Sequence, residues 1–217
     1  GVVDGLSLIG TQAEAQISAS PDQLKQCKEI LHSRCSKSTF DGCLTFVIGE
    51  NGMDLALDFG IPGNQIIKTG NWLGPLLIAA AENGVKKLLL FGYHGKLVKL
   101  AGGIFHTHHH LADGRLEILT SIAVREGISF DLIELIIKST SVENALLTLG
   151  ASNPDAVSLI WERMAKEIEI KSRSYVNRYL SSSMEVGSVL FDRKRQIRWA
   201  GFEGLKQINS FGLILKR

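Results

Sequence analysis

Residues 87–117 read KLLLFGYHGKLVKLAGGIFHTHHHLADGRLE, and the rest of the chain is organised around this stretch. It opens with an apolar run, Leu88–Phe91, that is typical of a buried β-strand. A glycine turn, Gly92–Gly95, follows directly and leads into a short helical pattern that stops at Gly102 and Gly103. Strand, glycine turn and helix in this order predict a unit of a parallel α/β sheet.

The same alternation of strand and helix runs through the preceding part of the chain. Predicted strands lie at 6–10, 44–48 and 65–68, and predicted helices begin at Pro21, near Met53 and at Pro75. After the histidines the pattern turns helical, with predicted helices at 116–123 and 141–149 and a long helix from Pro154. Residues 130–137 are apolar on almost every face and fit either a buried helix or a strand, of which we favour the helix. The segments 186–191 and 196–199 flank a charged turn and predict a β-hairpin.

These elements predict an α/β fold in three layers with a largely parallel sheet, plus a C-terminal long helix and β-hairpin. We expect two regions. Residues 1–150 form an α/β core domain that carries the glycine turns, and residues 151–217 form an appendage of helix and hairpin.

Composition limits the class of protein. Hydrophobic residues make up 45% of the 217 positions and charged residues 21%, as in folded globular proteins and not disordered ones. The net charge of +2 is too small to argue for a nucleic-acid partner, although residues 151–217 alone carry +5. No apolar run reaches the roughly 20 residues that span a bilayer, so no membrane partner is expected.

The cysteines and the start of the chain add two expectations. Cys27, Cys35 and Cys43 lack the spacing of a metal motif, which favours reduced thiols and a cytoplasmic location. The first residue is a glycine directly before a predicted strand, so we expect a fragment of a longer protein.

Two glycine turns are the first candidate binding features. In an open parallel sheet, ligands bind beyond the carboxyl ends of the strands, where helix N-termini favour anions. Gly92–Gly95 lies at such a place, with Lys96 and Lys99 adding positive charge, and Gly70–Gly74 is expected at the same edge of the sheet. Neither turn has the glycine spacing of a Walker A or dinucleotide motif, and both also fit ordinary turns after strands.

The histidine cluster is the second candidate feature. His106, His108, His109 and His110 precede Asp113, a composition that could bind a transition metal. Neighbouring side chains in an extended loop point in alternating directions, so the four imidazoles could not meet at one ion. The imidazoles could instead bind carboxylates of an acidic ligand, serve as acid or base, or be structural. We expect no protein-bound metal.

One family shares these motifs. Residues 95–104, GKLVKLAGGI, followed by Thr107-His108 and by Ala112-Asp113, resemble the signature of the cobalt-precorrin-5B (C-1) methyltransferases, the CbiD family. The resemblance runs from about Gly5 to Leu149 and includes Gly70-Asn71. The chain departs from it at Tyr93, where the family usually has histidine, and at His109, where it usually has serine. The family's N-terminal portion is missing.

The resemblance implies methyl transfer from S-adenosylmethionine to C-1 of a cobalt-containing tetrapyrrole in cobalamin biosynthesis. Its partners are then that tetrapyrrole and the missing N-terminal portion of the same protein, and a homo-oligomer is compatible with the sequence. Such a substrate carries a rim of carboxylates, which suits lysines, histidines, Arg115 and helix N-termini. The site residues expected on this basis are His94 and His108 as catalytic groups; Lys96, Lys99, His106, Thr107, Asp113 and Arg115 for the substrate; and Gly70, Asn71, Gly74, Gly92 and Gly95 for the methyl donor.

Two other function classes remain open at this level. The chain could be a tetrapyrrole-binding or assembly module without activity of its own, or a metal-dependent hydrolase that uses the histidines. The basic turn of the hairpin, with Arg193, Lys194, Arg195 and Arg198, fits a solvated turn better than a contact with nucleic acid or an acidic partner.

Overall fold

The computed structural model describes residues 21–49, 52–108 and 113–215, so the expected strand at 6–10 lies outside the described residues. Within these ranges the strands are β1 (Cys43–Ile48), β2 (Ile66–Lys68), β3 (Lys87–Tyr93), β4 (Glu185–Phe191) and β5 (Ile197–Ala200). The helices are α1 (Pro21–Cys35), α2 (Gly52–Asp58), α3 (Leu73–Glu82), α4 (His94–Ala101), α5 (Arg115–Arg125), α6 (Phe130–Ile137), α7 (Val142–Ser152), α8 (Pro154–Asn177) and α9 (Phe202–Ser210).

The five strands form one sheet in the order β2-β1-β3-β4-β5. The pairs β1–β2, β1–β3 and β3–β4 are parallel, and only β4–β5 is antiparallel. The predicted largely parallel sheet and the C-terminal hairpin are therefore confirmed. Because β1, β2, β3 and β4 run in one direction, their carboxyl ends and the loops that follow them lie along one edge of the sheet.

Helices cover both faces of the sheet. Side chains alternate along β1, where Phe46 and Ile48 enter the larger apolar core and Val47 enters the smaller one. The larger core holds buried residues of α1, α3, α4 and α5–α8. The smaller core is closed by α2 and α9 through Ala56 and Ile208. This confirms the expected three-layer α/β arrangement.

The C-terminal region completes the same sheet. Strand β4 pairs with β3 over seven positions, from Lys87 opposite Glu185 to Tyr93 opposite Phe191. Helix α8 supplies Ile160, Met164 and Ile168 to the larger core. Strand β4 lies between β3 and β5, so the C-terminal region contributes an internal strand of the sheet, and the division expected at residue 150 stays a prediction.

Local signals explain most element ends. Ser141 and Asn153 cap α7 and α8 by accepting hydrogen bonds from Asn144 N–H and Ala156 N–H, as their sequence positions indicate. Helix α7 continues past Gly150 to Ser152. Helix α9, which has nine residues and Gly204 in its interior, was not predicted from the sequence. Within the described ranges, no helix is both long and apolar enough to cross a membrane.

Candidate functional site

A crevice opens at the carboxyl edge of the sheet, between β1 and β3. After β1 the chain passes to α2 on the smaller-core face, and after β3 it passes to α4 on the larger-core face. Helices that leave adjacent strands in opposite directions create a gap, which is the usual ligand position in open α/β sheets. The crevice is about 250 Å³ in volume and is lined by Gly49, Tyr93, Lys96, Phe191, Asp192, Arg193 and Arg195.

Positive charge dominates the lining of this crevice. Lys96 stands in the first turn of α4, while Arg193 and Arg195 come from the turn between β4 and β5. Asp192 is the acidic member of the lining, but its Oδ1 accepts a hydrogen bond from Gln196 N–H at 2.9 Å and its Oδ2 lies 3.9 Å from the guanidinium of Arg198. The crevice therefore suits an anionic ligand better than a cationic one.

A buried carboxylate, Glu143, joins the floor of the crevice to the hairpin. Its Oε2 accepts hydrogen bonds from the phenol of Tyr93 at 3.4 Å and from Arg193 N–H at 3.2 Å. The same oxygen lies 2.8 Å from Nε2 of His94. One carboxylate from α7 thus contacts the end of β3, the start of α4 and the β4–β5 turn.

His94 is enclosed between aromatic rings. Its imidazole is 1% exposed and lies 4.7 Å from the ring of Tyr93 and 5.0 Å from that of Trp161, measured between centroids. Neither ring nitrogen has a well-aligned hydrogen bond to a described residue, in spite of the short approach of Glu143. Burial lowers the pKa of His94 to about 4, so the ring is neutral near pH 7. This surrounding favours a positioning role over proton exchange with a ligand.

The glycine turn Gly70–Gly74 packs against residues 105–107, where the histidine cluster begins. Thr107 donates from Oγ1 to Oδ1 of Asn71 at 3.0 Å and from its backbone N–H to the Asn71 carbonyl at 3.1 Å. Gly74 N–H donates to the Phe105 carbonyl, and the ring of His106 stands edge-on to Trp72 at 4.4 Å. Asn71 and Thr107 are both buried, so the two predicted site segments are brought together.

The buried ammonium of Lys99 donates hydrogen bonds to the backbone of the same segment. Its ammonium donates to the carbonyls of Thr107 at 3.2 Å and His108 at 3.4 Å, and the residue is 1% exposed. Burial lowers the pKa of Lys99. Lys96 and Lys99 therefore have different surroundings, since Lys96 lines the crevice while Lys99 is bonded to backbone inside the protein.

The predicted donor-site glycines face the protein's own side chains. A Cβ at Gly92 would lie 3.0 Å from Ile48, and one at Gly95 would collide with the ring of Tyr93. A Cβ at Gly74 would lie 2.6 Å from the Tyr175 hydroxyl, and Gly70, with φ +60°, has the amide of Gln23 beside it. These glycines permit close packing, and their role at a methyl donor stays a prediction.

The remaining predicted residues lie at the end of the histidine segment. Arg115 donates two hydrogen bonds to Asp113, at 2.7 and 2.6 Å, and these hydrogen bonds lower the pKa of Asp113 to about 2. The rings of His106 and His108 are 6.4 Å apart. Among the described residues no group of three potential ligands is placed to hold a metal ion, while His109 and His110 lie outside the described residues.

Comparison with known proteins places these features in a family. Residues 106–201 match the family model described as CbiD, C-terminal domain. The chain is 87% identical over its full length to the cobalt-precorrin-5B C(1)-methyltransferase of Prochlorococcus marinus strain NATL1A. It is 54% identical, over 93% of its length, to the protein of the same name from Synechococcus sp. strain CC9902. Residues 106–201 of this chain belong to the CbiD family.

The chain spans only part of these CbiD relatives. It covers 57% of the Prochlorococcus protein and 55% of the Synechococcus protein. No solved structure matches it. The CbiD match at 106–201 includes Thr107, Glu143 and the β4–β5 turn, whereas Asn71 and Lys96 precede it.

Sequence reasoning missed two residues that line the crevice, Arg193 and Arg195, and the carboxylate beside it, Glu143. Glu143 lies within a predicted helix, and for Arg193 and Arg195 a solvated turn was favoured over a contact with nucleic acid or an acidic partner. One signal was available, because the hairpin turn follows β4 and so lies at the same edge as the other strand ends. The pairing of β4 with β3, which sets that position, joins residues about a hundred positions apart and cannot be read from local patterns.

Proposed function

We propose that the protein containing this chain transfers a methyl group from S-adenosylmethionine to C-1 of cobalt-precorrin-5B in cobalamin biosynthesis. Relatives that align with the whole length of the chain are named as this methyltransferase. The structural observation that supports the proposal is the cationic crevice at the carboxyl edge, between β1 and β3, where α/β sheets bind ligands.

The chemistry requires little from the protein beyond positioning. The ring carbon supplies an electron pair to the methyl carbon, and the sulfur–methyl bond breaks with its electrons remaining on sulfur as a neutral thioether. The sulfonium donor is already activated, so neither a strong nucleophile nor a metal of the protein is needed. Cobalt in this reaction belongs to the substrate.

The crevice fits part of such a reaction site. About 250 Å³ is small beside the 300–1,000 Å³ typical of pockets for drug-sized ligands, so it does not enclose a donor and a tetrapyrrole together. The remaining portion of the full-length protein is therefore proposed to supply further walls. Because Lys96, Arg193 and Arg195 repel a sulfonium, the crevice suits acidic groups of the substrate better than the donor's sulfur.

The donor is assigned to the second glycine turn, with Asn71 as its central residue. Asn71 lies after β2, at the same edge of the sheet as the crevice. It is hydrogen-bonded to Thr107, whose carbonyl accepts a hydrogen bond from Lys99, and these bonds define the shape of the turn. His106 and Thr107 are proposed to bind the substrate, and His108 of the same segment is proposed as a catalytic group. Each of these roles is a proposal.

Calorimetry of the full-length protein with S-adenosylhomocysteine tests the donor assignment. We expect binding by the wild type and at least about tenfold weaker binding by Asn71→Ala, since a buried amide is removed from the turn. Thr148→Ala is the control, because Thr148 lies on α7, outside both the turn and the crevice. Absence of binding by the wild type contradicts the proposed function, and equal binding by Asn71→Ala contradicts the donor site.

The alternative of a non-catalytic tetrapyrrole-binding or assembly fragment concerns this chain and not the whole protein. The small volume of the crevice favours it for the isolated chain. We expect methyl transfer from the full-length protein and none from residues 1–217 alone, measured by mass of the corrinoid product. Activity of the isolated chain would contradict the alternative.

A further inference from the structure

The turn between β4 and β5 is built to present two arginines to the crevice. Asp192 N–H donates to the Gln196 carbonyl at 3.0 Å, Arg195 N–H donates to the Asp192 carbonyl at 3.1 Å, and Gln196 N–H donates to the Asp192 carboxylate at 2.9 Å. These bonds define the backbone of the turn. Arg193 and Arg195 of this turn line the crevice together with Lys96 of α4.

Arg195 occupies a backbone conformation that arginine seldom adopts. Its φ is +62°, and it is the one non-glycine residue with positive φ among the described residues. Glycine or asparagine would adopt this conformation at lower energy. The turn keeps a long cationic side chain at this position in spite of the cost, and that side chain lines the crevice and lies 3.3 Å from the exposed carboxylate of Asp54.

Arg193 is held from the opposite side. Its backbone N–H donates to Glu143 of α7, and its guanidinium opposes the effect of burial, which raises the pKa of the neighbouring Tyr93 phenol. Because Glu143 is 8% exposed and also contacts Tyr93, the turn is tied to the crevice floor by a buried acceptor. The backbone of Arg193 is thus fixed beside Tyr93, and its side chain lines the crevice.

We propose that Arg193 and Arg195 of the β4–β5 turn, together with Lys96, bind the carboxylates of the tetrapyrrole substrate. This inference rests on the proposed function and adds to it the residues that recognise the substrate. Guanidinium groups make paired hydrogen bonds to carboxylates, and several such groups at one site discriminate a polyacidic ring from a neutral one. Glu143 acts as a positioning residue, since it holds the turn without facing the ligand carboxylates.

Two variants and one control separate this role from general effects of charge. Arg193→Gln keeps the backbone N–H that Glu143 accepts, and Arg195→Gly relieves the positive-φ strain. Lys194→Gln removes the same unit of charge from the same turn, at a position that does not line the crevice. The probe is coproporphyrin III, titrated by fluorescence into the full-length protein, with its tetramethyl ester as the ligand that lacks free carboxylates.

We expect coproporphyrin binding to weaken about tenfold in Arg193→Gln and in Arg195→Gly and to change less than about twofold in Lys194→Gln. Arg195→Gly should melt at the same temperature as the wild type or higher, so that loss of binding cannot come from unfolding. Binding should also weaken with added salt, and less steeply in the two arginine variants.

Three results would overturn the proposal: wild-type affinity in both arginine variants, no binding of coproporphyrin by the wild type, or equal affinity for the tetramethyl ester. S-adenosylhomocysteine affinity, measured on the same proteins, should not change in the variants. If the wild type fails to bind S-adenosylhomocysteine, the proposed methyl transfer fails, while the porphyrin titrations still decide the role of the arginines.

Discussion

Lys96 and Lys99 lie three residues apart on α4, and their side chains have different surroundings and different roles. Lys96 lines the crevice, whereas Lys99 is 1% exposed and donates to the carbonyls of Thr107 and His108. A buried ammonium persists only where hydrogen bonds compensate for its loss of water. Lys99 therefore acts through the shape of the 104–108 segment, and of the two lysines only Lys96 is placed to meet a ligand in the crevice.

His94 makes stability depend on pH. Its folded pKa of about 4 is below the ordinary 6.5, so the unfolded chain binds the proton more tightly between these values. The stabilising effect of the neutral ring is complete above pH 6.5 and is lost as pH falls toward 4. We expect the free energy of unfolding to decrease by up to about 3 kcal/mol over this window.

Urea unfolding at a series of pH values measures this effect, with His94→Gln as the comparison. Other groups also titrate in this range, so the informative quantity is the difference in stability between wild type and variant. That difference should shrink as pH falls from 6.5 to 4. A constant difference across the window would show that His94 does not titrate with a depressed pKa.

Helix α9 packs directly against strand β4 through glycine residues on both elements. A Cβ on Gly204 would overlap the backbone carbonyl of Ser188, and one on Gly187 would lie 2.7 Å from Gly204 N. Glu169 of α8 completes the junction, since it accepts hydrogen bonds from Ser188 N–H and Gly204 N–H at 3.0 Å each. Two glycines and one buried carboxylate thus fix where the hairpin and α9 sit.

Gly204→Ala is therefore expected to destabilise the protein by about 2–3 kcal/mol, because the added methyl group must push α9 away from backbone atoms. Gly150→Ala is the matched control. It also lies in a helix, its Cβ would meet Val157 at an ordinary 3.6 Å, and alanine favours helix, so stability should be unchanged or rise by up to about 1 kcal/mol. Chemical denaturation measures both, and equal effects would contradict the packing argument.

At the scale of the whole molecule, the sheet makes residues 21–215 interdependent. Strand β4 covers the edge of β3, and α8 packs on the larger core with α4, α5 and α7. A fragment of residues 1–150 would expose one edge of β3 together with core residues such as Leu88 and Leu90. Such an edge and apolar surface favour association over folding.

We therefore expect residues 1–150 to lack the cooperative thermal unfolding of the full chain, as measured by circular dichroism and size-exclusion chromatography. This outcome has a direct bearing on the expected division into a core and an appendage. A monomeric fragment with a sharp unfolding transition would support that division.

Local patterns were sufficient for most of the fold. The apolar run 88–91, the caps Ser141 and Asn153 and the charged turn at 192–195 each predict the element that the structure shows. They succeed because hydrogen bonding and periodicity act within a few residues. Helix α9 was missed because Gly204, which weakens a helix locally, is required there by the backbone of β4.

The sequence by itself determined the α/β class, the parallel sheet, the two glycine turns at one edge and the resemblance to CbiD. Only the tertiary structure decided which of these residues share a site. Lys96 and Arg195 line one crevice because β4 pairs with β3, and Glu143 accepts a hydrogen bond from the neighbouring Arg193 because α7 packs near the start of α4. Contacts over such sequence separations depend on the packing of whole elements, which no local pattern contains. The stretch at 87–117 therefore supplies one side of the site, and the C-terminal hairpin supplies the other.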